Sequence, residues 1–317
     1  MKKFISKVMC ASFATTAVFA AAAVPAQAEF PNKPVQFIVP WPPGDMEDVL
    51  TRMIAEDFQK AHGQPAAVVN KPGKGAGPFP GAAEVAKADA DGHTIGSFVI
   101  GVPIVGPRIG MPELAPNPFE PVGIFLTYPF VLAASKDAPY QSMKELAEHA
   151  KSNKVILGHF GAPLIPTKVS LAMAKNMGFS YASDAAFDAL DCNTIASGDV
   201  DVMNTTIQLV LPCLDKINIL AAVTDERISL VPDAPTVKEL DPSLPITLWN
   251  GLFVHKDVPA DARAKIEAVA KKTMASARAQ EFAKKTGAQV YWKGAADSQA
   301  QIDADTAAFD KLNAMLE

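Results

Sequence analysis

The chain has 317 residues, of which 49% are hydrophobic and 20% charged, with a formal net charge of −5. No low-complexity tract or long block of like charge interrupts it, so it reads as a globular chain of a length that suits two domains. The acidic balance argues against nucleic acid or an anionic membrane surface as a partner.

Lys2, Lys3 and Lys7 precede a run of small and apolar residues from Val8 to Val24, and Ala26-Gln27-Ala28 fits a small-x-small cleavage site. This order predicts a secretory signal over residues 1–28 and a protein exported to the periplasm. A membrane anchor fits less well, because Val8–Val24 is rich in Ala and Thr and short for a span, and no later stretch is apolar enough to cross a bilayer. Cys10 lies inside the apolar run behind Met9, where a small residue would be expected before a lipid-modified cysteine. Removing 28 of 317 residues leaves 289, and the three lysines lost with them take the charge from −5 to −8. Any anion bound by the mature protein would then depend on local dipoles.

Val35 to Val39 form a short, apolar strand signal, and Pro40-Trp41-Pro42-Pro43-Gly44 can continue neither a strand nor a helix. Val49, Leu50, Met53, Ile54, Phe58 and Ala61 recur at helical spacing, so a helix is expected to begin near Asp45. A strand–loop–helix unit of this kind turns the unpaired first N–H groups of the helix into a crevice, where an anion can accept from them. Ala66–Val69 reads as the next strand. Asn70 to Gly77 follows as a loop built for unusual backbone angles, then a helical stretch Ala82–Ala88, a turn at Gly92-His93 and a strand Thr94–Ile100.

Further strands are expected at Phe130–Ala134, Val155–Leu157, Val200–Met203, Ile219–Val223 and Thr247–Val254. Helices are expected near Met143–Lys151, Thr167–Met177, Ala185–Ala196 and Asp261–Lys272. The alternation predicts α/β layers with parallel strands. After processing only Cys192 and Cys213 remain; a disulfide and a pair of small buried thiols both fit an oxidising compartment. Five scattered histidines and no CxxC pair give no support to a metal site, and no cofactor is expected.

Several blocks now point the same way. Phe30-Pro31-Asn32-Lys33-Pro34-Val35 followed by Ile38-Val39-Pro40-Trp41-Pro42-Pro43-Gly44 resembles the opening of the substrate-binding proteins of tripartite tricarboxylate transporters, the TctC or Bug family. Asn70-Lys71-Pro72-Gly73-Lys74-Gly75 resembles the family's Asn-Arg-Pro-Gly-x-Gly segment, and Ala90-Asp91-Gly92-His93-Thr94 its Pro-Asp-Gly-Tyr-Thr turn. Ser197 to Met203, Pro232 to Val237 and Trp249-Asn250-Gly251-Leu252-Phe253 follow in the family's order and spacing.

The resemblance implies a two-domain periplasmic-binding-protein fold with two interdomain crossovers, domain 1 taking 29–127 plus 250–317 and domain 2 taking 128–249. It also implies capture of a small carboxylate by backbone N–H groups of two facing loops, here Pro42–Asp48 and Gly158–Lys168. Delivery to the large and small membrane subunits of a transporter is implied as well. The protein itself is expected to be a monomer. On this basis the expected ligand-binding residues are Trp41, Pro43, Gly44, Asp45, Asp48, His159, Phe160, Gly161, Thr167 and Asn204.

Each residue also has a plainer reading. Phe160 can belong to the core, His159 can be a solvated loop residue and Thr167 can cap a helix. Asp45 stands where the family usually has a second glycine, Glu47 adds a further acid, and Asp48 matches the family's customary aspartate. Asp45 either caps the helix, with Glu47 facing solvent, or accepts hydrogen bonds from an ammonium or hydroxyl group of the ligand. No nucleophile elbow, zinc-protease helix or phosphate loop is present. The alternative function is an exported α/β enzyme acting on a small organic acid, with His159 as general base and Asp45 or Asp48 as its partner.

Overall fold

The computed structural model describes residues 29–73, 76–244 and 247–317. The expected signal segment, residues 1–28, and Lys74 and Gly75 of the glycine-containing loop lie outside them. The chain opens with β1 (Val35–Val39), α1 (Met46–His62), β2 (Ala66–Asn70), α2 (Phe79–Ala86), β3 (Thr94–Val99), the short α3 (Gly101–Val105) and β4 (Phe119–Thr127). It then crosses to β5 (Phe130–Ser135), α4 (Met143–Ala150), β6 (Ile156–His159), α5 (Ile165–Asn176), β7 (Ser183–Ala186), α6 (Cys192–Ser197), β8 (Val202–Thr206), α7 (Ile207–Val210), β9 (Ile217–Ala222) and α8 (Val237–Leu240). Finally it returns through β10 (Trp249–His255), α9 (Ala260–Met274), α10 (Ala277–Thr286), β11 (Gln289–Gly294) and α11 (Ala295–Leu316).

Two sheets result, ordered β11-β4-β10-β3-β1-β2 and β7-β6-β8-β5-β9. β1 runs parallel to β2 and β3, and β6 parallel to β7 and β8, because each pair is joined by a connection containing a helix. The expected parallel strands are present but the sheets are mixed: β10 is antiparallel to β3 and β4, β11 to β4, and β5 to β8 and β9. The antiparallel pairs involve the strands by which the chain leaves and re-enters each sheet.

The expected helix at Ala185–Ala196 is also corrected. Ser183–Ala186 is an edge strand beside β6, and the helix begins only at Cys192, where Asp191 caps it by accepting from the Asn193 and Thr194 N–H groups. β4, β11 and α11 are not anticipated from sequence. In β4, Pro121 and Gly123 dilute the strand signal: Pro121 sits where the register against β10 shifts, and Gly123 leaves room for the Trp292 ring.

The first sheet is packed by fully buried Phe37, Phe58, Phe98 and Phe253. α11 is tied to it by the Trp249 indole, whose Nε1–H donates to Asp305 Oδ2 at 2.7 Å, and it also packs on α5 beside the second sheet. The two chain crossings run side by side, the Tyr128 N–H donating to the Leu248 carbonyl at 2.8 Å. Cys192 and Cys213 form a disulfide, joining α6 to the turn after α7.

Candidate functional site

β1 ends against the Pro40–Gly44 run, and Gly44, at φ 95°, turns the chain into α1 through a conformation that favours glycine. Asp45 occupies the N-cap position, yet its side chain makes no capping hydrogen bond. The clamp is Asp48. Its Oδ2 accepts from the Gly44 N–H at 2.9 Å and from Arg52 Nε at 3.0 Å, while Oδ1 pairs with Arg52 Nη2 at 2.9 Å and accepts from Asn70 Nδ2 at 2.8 Å. Asn70 Nδ2 also donates to the Trp41 carbonyl at 3.0 Å, so one carboxylate ties the loop to α1 and β2. Burial alone would raise the Asp48 pKa; the hydrogen bonds from Arg52, Gly44 and Asn70 bring it below the ordinary value.

The facing loop is built the same way from different residues. His159 at the end of β6 is buried, its Nδ1 accepting the Gly161 N–H at 3.0 Å and its Nε2 lying 2.7 Å from Asp184 Oδ1. The Thr167 hydroxyl donates to the Gly161 carbonyl at 2.8 Å, and Asn204 Nδ2 donates to the Pro166 carbonyl at 3.0 Å. These bonds hold the N-terminus of α5 opposite that of α1.

A cavity of ≈ 60 Å³ lies between the loops, closed above by the approach of Leu164 to Gly101 and by a hydrogen bond from Gln208 Nε2 to the Gly44 carbonyl at 3.0 Å. This is far below the roughly 300–1,000 Å³ of sites that hold drug-sized ligands, so the walls must part to admit all but the smallest solute. Its lining is chiefly apolar and aromatic, with Trp41 and Phe160 in edge-to-face contact at 6.0 Å between ring centroids. No Lys, Arg or His is among the residues that line it, whereas Asp45 and Glu47 are.

Burial pushes the Asp45 carboxyl up to about 7, with the Asp48 charge adding to the shift. Burial, and then the Asp45 charge, pushes Glu47 up to about 8. The Tyr128 hydroxyl, in hydrogen-bond contact with Glu47, donates to Asn250 Oδ1 at 3.1 Å, while Asn250 Nδ2 donates to Ser97 Oγ at 2.8 Å. The Tyr128 contact acts on Glu47 in the opposite sense, favouring the ionised acid, and burial outweighs it.

Of the expected binding residues, the structure brings Trp41, Asp45 and Phe160 to the cavity wall. Pro43 and Gly44 form the turn into α1. Asp48, His159, Gly161, Thr167 and Asn204 engage in the bonds that shape the two loops. With both ring nitrogens of His159 occupied and the residue 1% exposed, a general-base role has no free nitrogen to use. Glu47, one of the alternative readings' solvent-facing residues, is 4% exposed and lines the cavity. Tyr128, Phe130, Leu164 and Leu209 also line it without having been expected; the position of Tyr128 and Phe130 at a predicted strand start after the first crossing is the signal that points to them. Among the described residues no group of three or more His, Cys, Asp or Glu could hold a metal ion, and no helix is long and apolar enough to cross a membrane.

Two mixed α/β sheets with a cleft between facing helix N-termini define the class of periplasmic solute-binding proteins. The chain belongs to the tripartite tricarboxylate transporter receptor family, whose model matches residues 50–314. It is 30% identical over 259 residues, 76% of this chain and 71% of the relative, to the UPF0065 protein in the TAR-I ttuE-ttuC' intergenic region of Agrobacterium vitis. Among solved structures it resembles the periplasmic binding protein BugD, with 25% identity, a TM-score of 0.77 and coverage of 90% of this chain and 99% of that one. It also resembles MatC of Rhodopseudomonas palustris with bound malate, at 23% identity and a TM-score of 0.76, covering 91% of this chain and all of that one. The latter likeness is one of fold.

Proposed function

We propose that this protein is a periplasmic receptor that captures a small organic acid, plain or carrying a hydroxy, amino or sulfo group, and delivers it to the large and small membrane subunits of a tripartite transporter. The observation that carries this reading is the meeting of the α1 and α5 N-termini at an interlobe cavity, where first-turn N–H groups can serve a carboxylate. Membership of a receptor family supports it, as does the malate held by MatC in the same fold. Under this reading the lobes divide as 29–127 plus 250–317 and 128–249, and closure about the paired crossings encloses the ligand. Trp41, Asp45 and Phe160 touch it, and Pro43, Gly44, Asp48, His159, Gly161, Thr167 and Asn204 hold the loops that do.

A thermal-shift panel of mono-, di- and tricarboxylates, hydroxy acids, amino acids and sulfonates tests the proposal. A true ligand at 100 times its dissociation constant adds about 2.7 kcal/mol, which raises the midpoint of a chain this size by on the order of 5 °C. A flat response across every organic acid would overturn it.

A further inference from the structure

The cleft is electrically lopsided. At the α1 side two carboxyls, Asp45 and Glu47, line one small apolar cavity with no basic side chain on its wall. The first cation along each of the two helices is engaged elsewhere: Arg52 with Asp48 and Asn70, and Lys168 over the Phe309 ring at 5.8 Å. Asp48 takes all four of its hydrogen bonds from Gly44, Arg52 and Asn70, so the Arg52 charge is spent on Asp48 and does not neutralise the pair. At the opposite side the first-turn N–H groups of α5 have no partner within their helix. Independently of the acids, Trp41 on the cavity wall is 8% exposed, and its Nε1–H is buried without a hydrogen-bond partner among the described residues. A buried donor in that state lacks an acceptor, which a ligand oxygen supplies.

We propose that the acid taken by this cleft carries an amino group, its ammonium seated on the Asp45 and Glu47 carboxyls and its carboxylate served by Trp41 and the α5 N-terminus. This rests on the receptor function proposed above and narrows its ligand class. A plain di- or tricarboxylate would bring further negative charge against two acids in a poorly solvated cavity. An ammonium group instead supplies the counter-charge that the cavity wall lacks, and the apolar walls accommodate a short carbon skeleton between the two ends. Asp45, with no capping bond to satisfy it, is the carboxylate that pairs with the ammonium; Glu47 stands behind it on the Tyr128–Asn250–Ser97 chain.

The test is titration calorimetry at pH 7 with α- and ω-amino acids of three to five carbons, each beside its hydroxy acid, its plain carboxylic acid and its amine. The amino acid is expected to bind at least tenfold more tightly than the hydroxy and plain acids of the same skeleton. Repeating the titration in buffers of different ionisation enthalpy gives the sign of proton exchange on the unaltered protein. An ammonium favours the ionised carboxyls, so protons must be released, whereas a bare carboxylate would cause uptake. Asp45→Asn is expected to weaken the amino acid ten- to a hundredfold and to leave the plain acid unchanged or tighter.

Plain or hydroxy acids binding as tightly as the amino form, or proton uptake with every ligand, would overturn the ammonium seat and leave the receptor reading standing. Amines binding without any acid would support the seat and overturn the organic-acid receptor. No binding by any probe would overturn both.

Discussion

The two loops that meet at the cleft share a plan and differ in what they leave unsatisfied. Each follows a strand, turns at a glycine with positive φ, Gly44 or Gly161, and opens a helix whose first residues line the shared cavity. In the α5 loop the polar side chains of His159, Thr167 and Asn204 are spent on shaping the loop. In the α1 loop Asp48 does that work alone, which leaves Asp45 and Glu47 without a basic partner beside an orphan indole N–H. The lesson is that one strand–loop–helix plan can leave free acids on one side of a cleft and none on the other. Which one results depends on whether the acids are consumed by the loop.

The comparison breaks most visibly at Asp48. Asp48→Ala removes the acceptor for Gly44, Arg52 and Asn70 together and is expected to destabilise the protein by about 2–3 kcal/mol, since a buried charged partner is lost while Arg52 keeps partial access to water. Urea unfolding measures it; a change below about 0.5 kcal/mol would mean that the loop does not depend on this clamp.

The second test is pH. Carboxyls whose folded pKa is raised stabilise the fold while they are protonated, fully so below their unfolded values near pH 4, and that contribution is lost as pH rises through about 7 for Asp45 and about 8 for Glu47. The ligand-free protein should therefore lose stability between pH 5 and pH 8. Glu47→Gln, which keeps a neutral group of the same shape against Tyr128, should flatten the profile and add on the order of 2 kcal/mol at pH 8. Thermal midpoints that rise over this interval in the wild-type protein would contradict the assignment of both acids.

On the α5 side, His159→Ala removes the acceptor for the Gly161 N–H and the partner of Asp184. It is expected to lower stability by about 1–2 kcal/mol and to speed exchange of the Gly161 amide, with protection recovered only by a side chain that still accepts from Gly161, as in His159→Asn. Hydrogen exchange at Gly161 reads this out, and unchanged protection would show that the bond does not order the loop. The smallest effect is expected at Gln208, whose single bond to the Gly44 carbonyl joins α7 to the α1 loop across the cleft. Gln208→Ala should cost about 0.5–1 kcal/mol and shift the unliganded protein towards an open form. Small-angle scattering would then give a larger radius of gyration, and an identical curve would argue that Gln208 does not help to close the cleft.

What the sequence by itself determined is local. The strand at Val35–Val39, the break at Pro40–Gly44 and the helix from Met46 follow from apolar spacing and from residues that can extend neither element, and the structure has all three. The family, the two-lobed α/β class and the two loops that reach the cleft were legible for the same reason, since each depends on ordered blocks of neighbouring residues. The antiparallel strands were not, because strand direction depends on where the chain re-enters a sheet after more than a hundred residues, and Pro121 and Gly123 hide a strand whose shape suits its neighbours Phe253 and Trp292.

The roles within the site were likewise settled only in three dimensions. Asp45, Glu47 and Asp48 are three similar acids in four positions of sequence. Folding surrounds Asp48 with donors from Gly44, Arg52 and Asn70, places Glu47 against a tyrosine from the crossing strand, and leaves Asp45 on the cavity wall. A carboxyl's charge and function depend on what desolvates it and what donates to it, and here most of those partners are brought together by the tertiary fold.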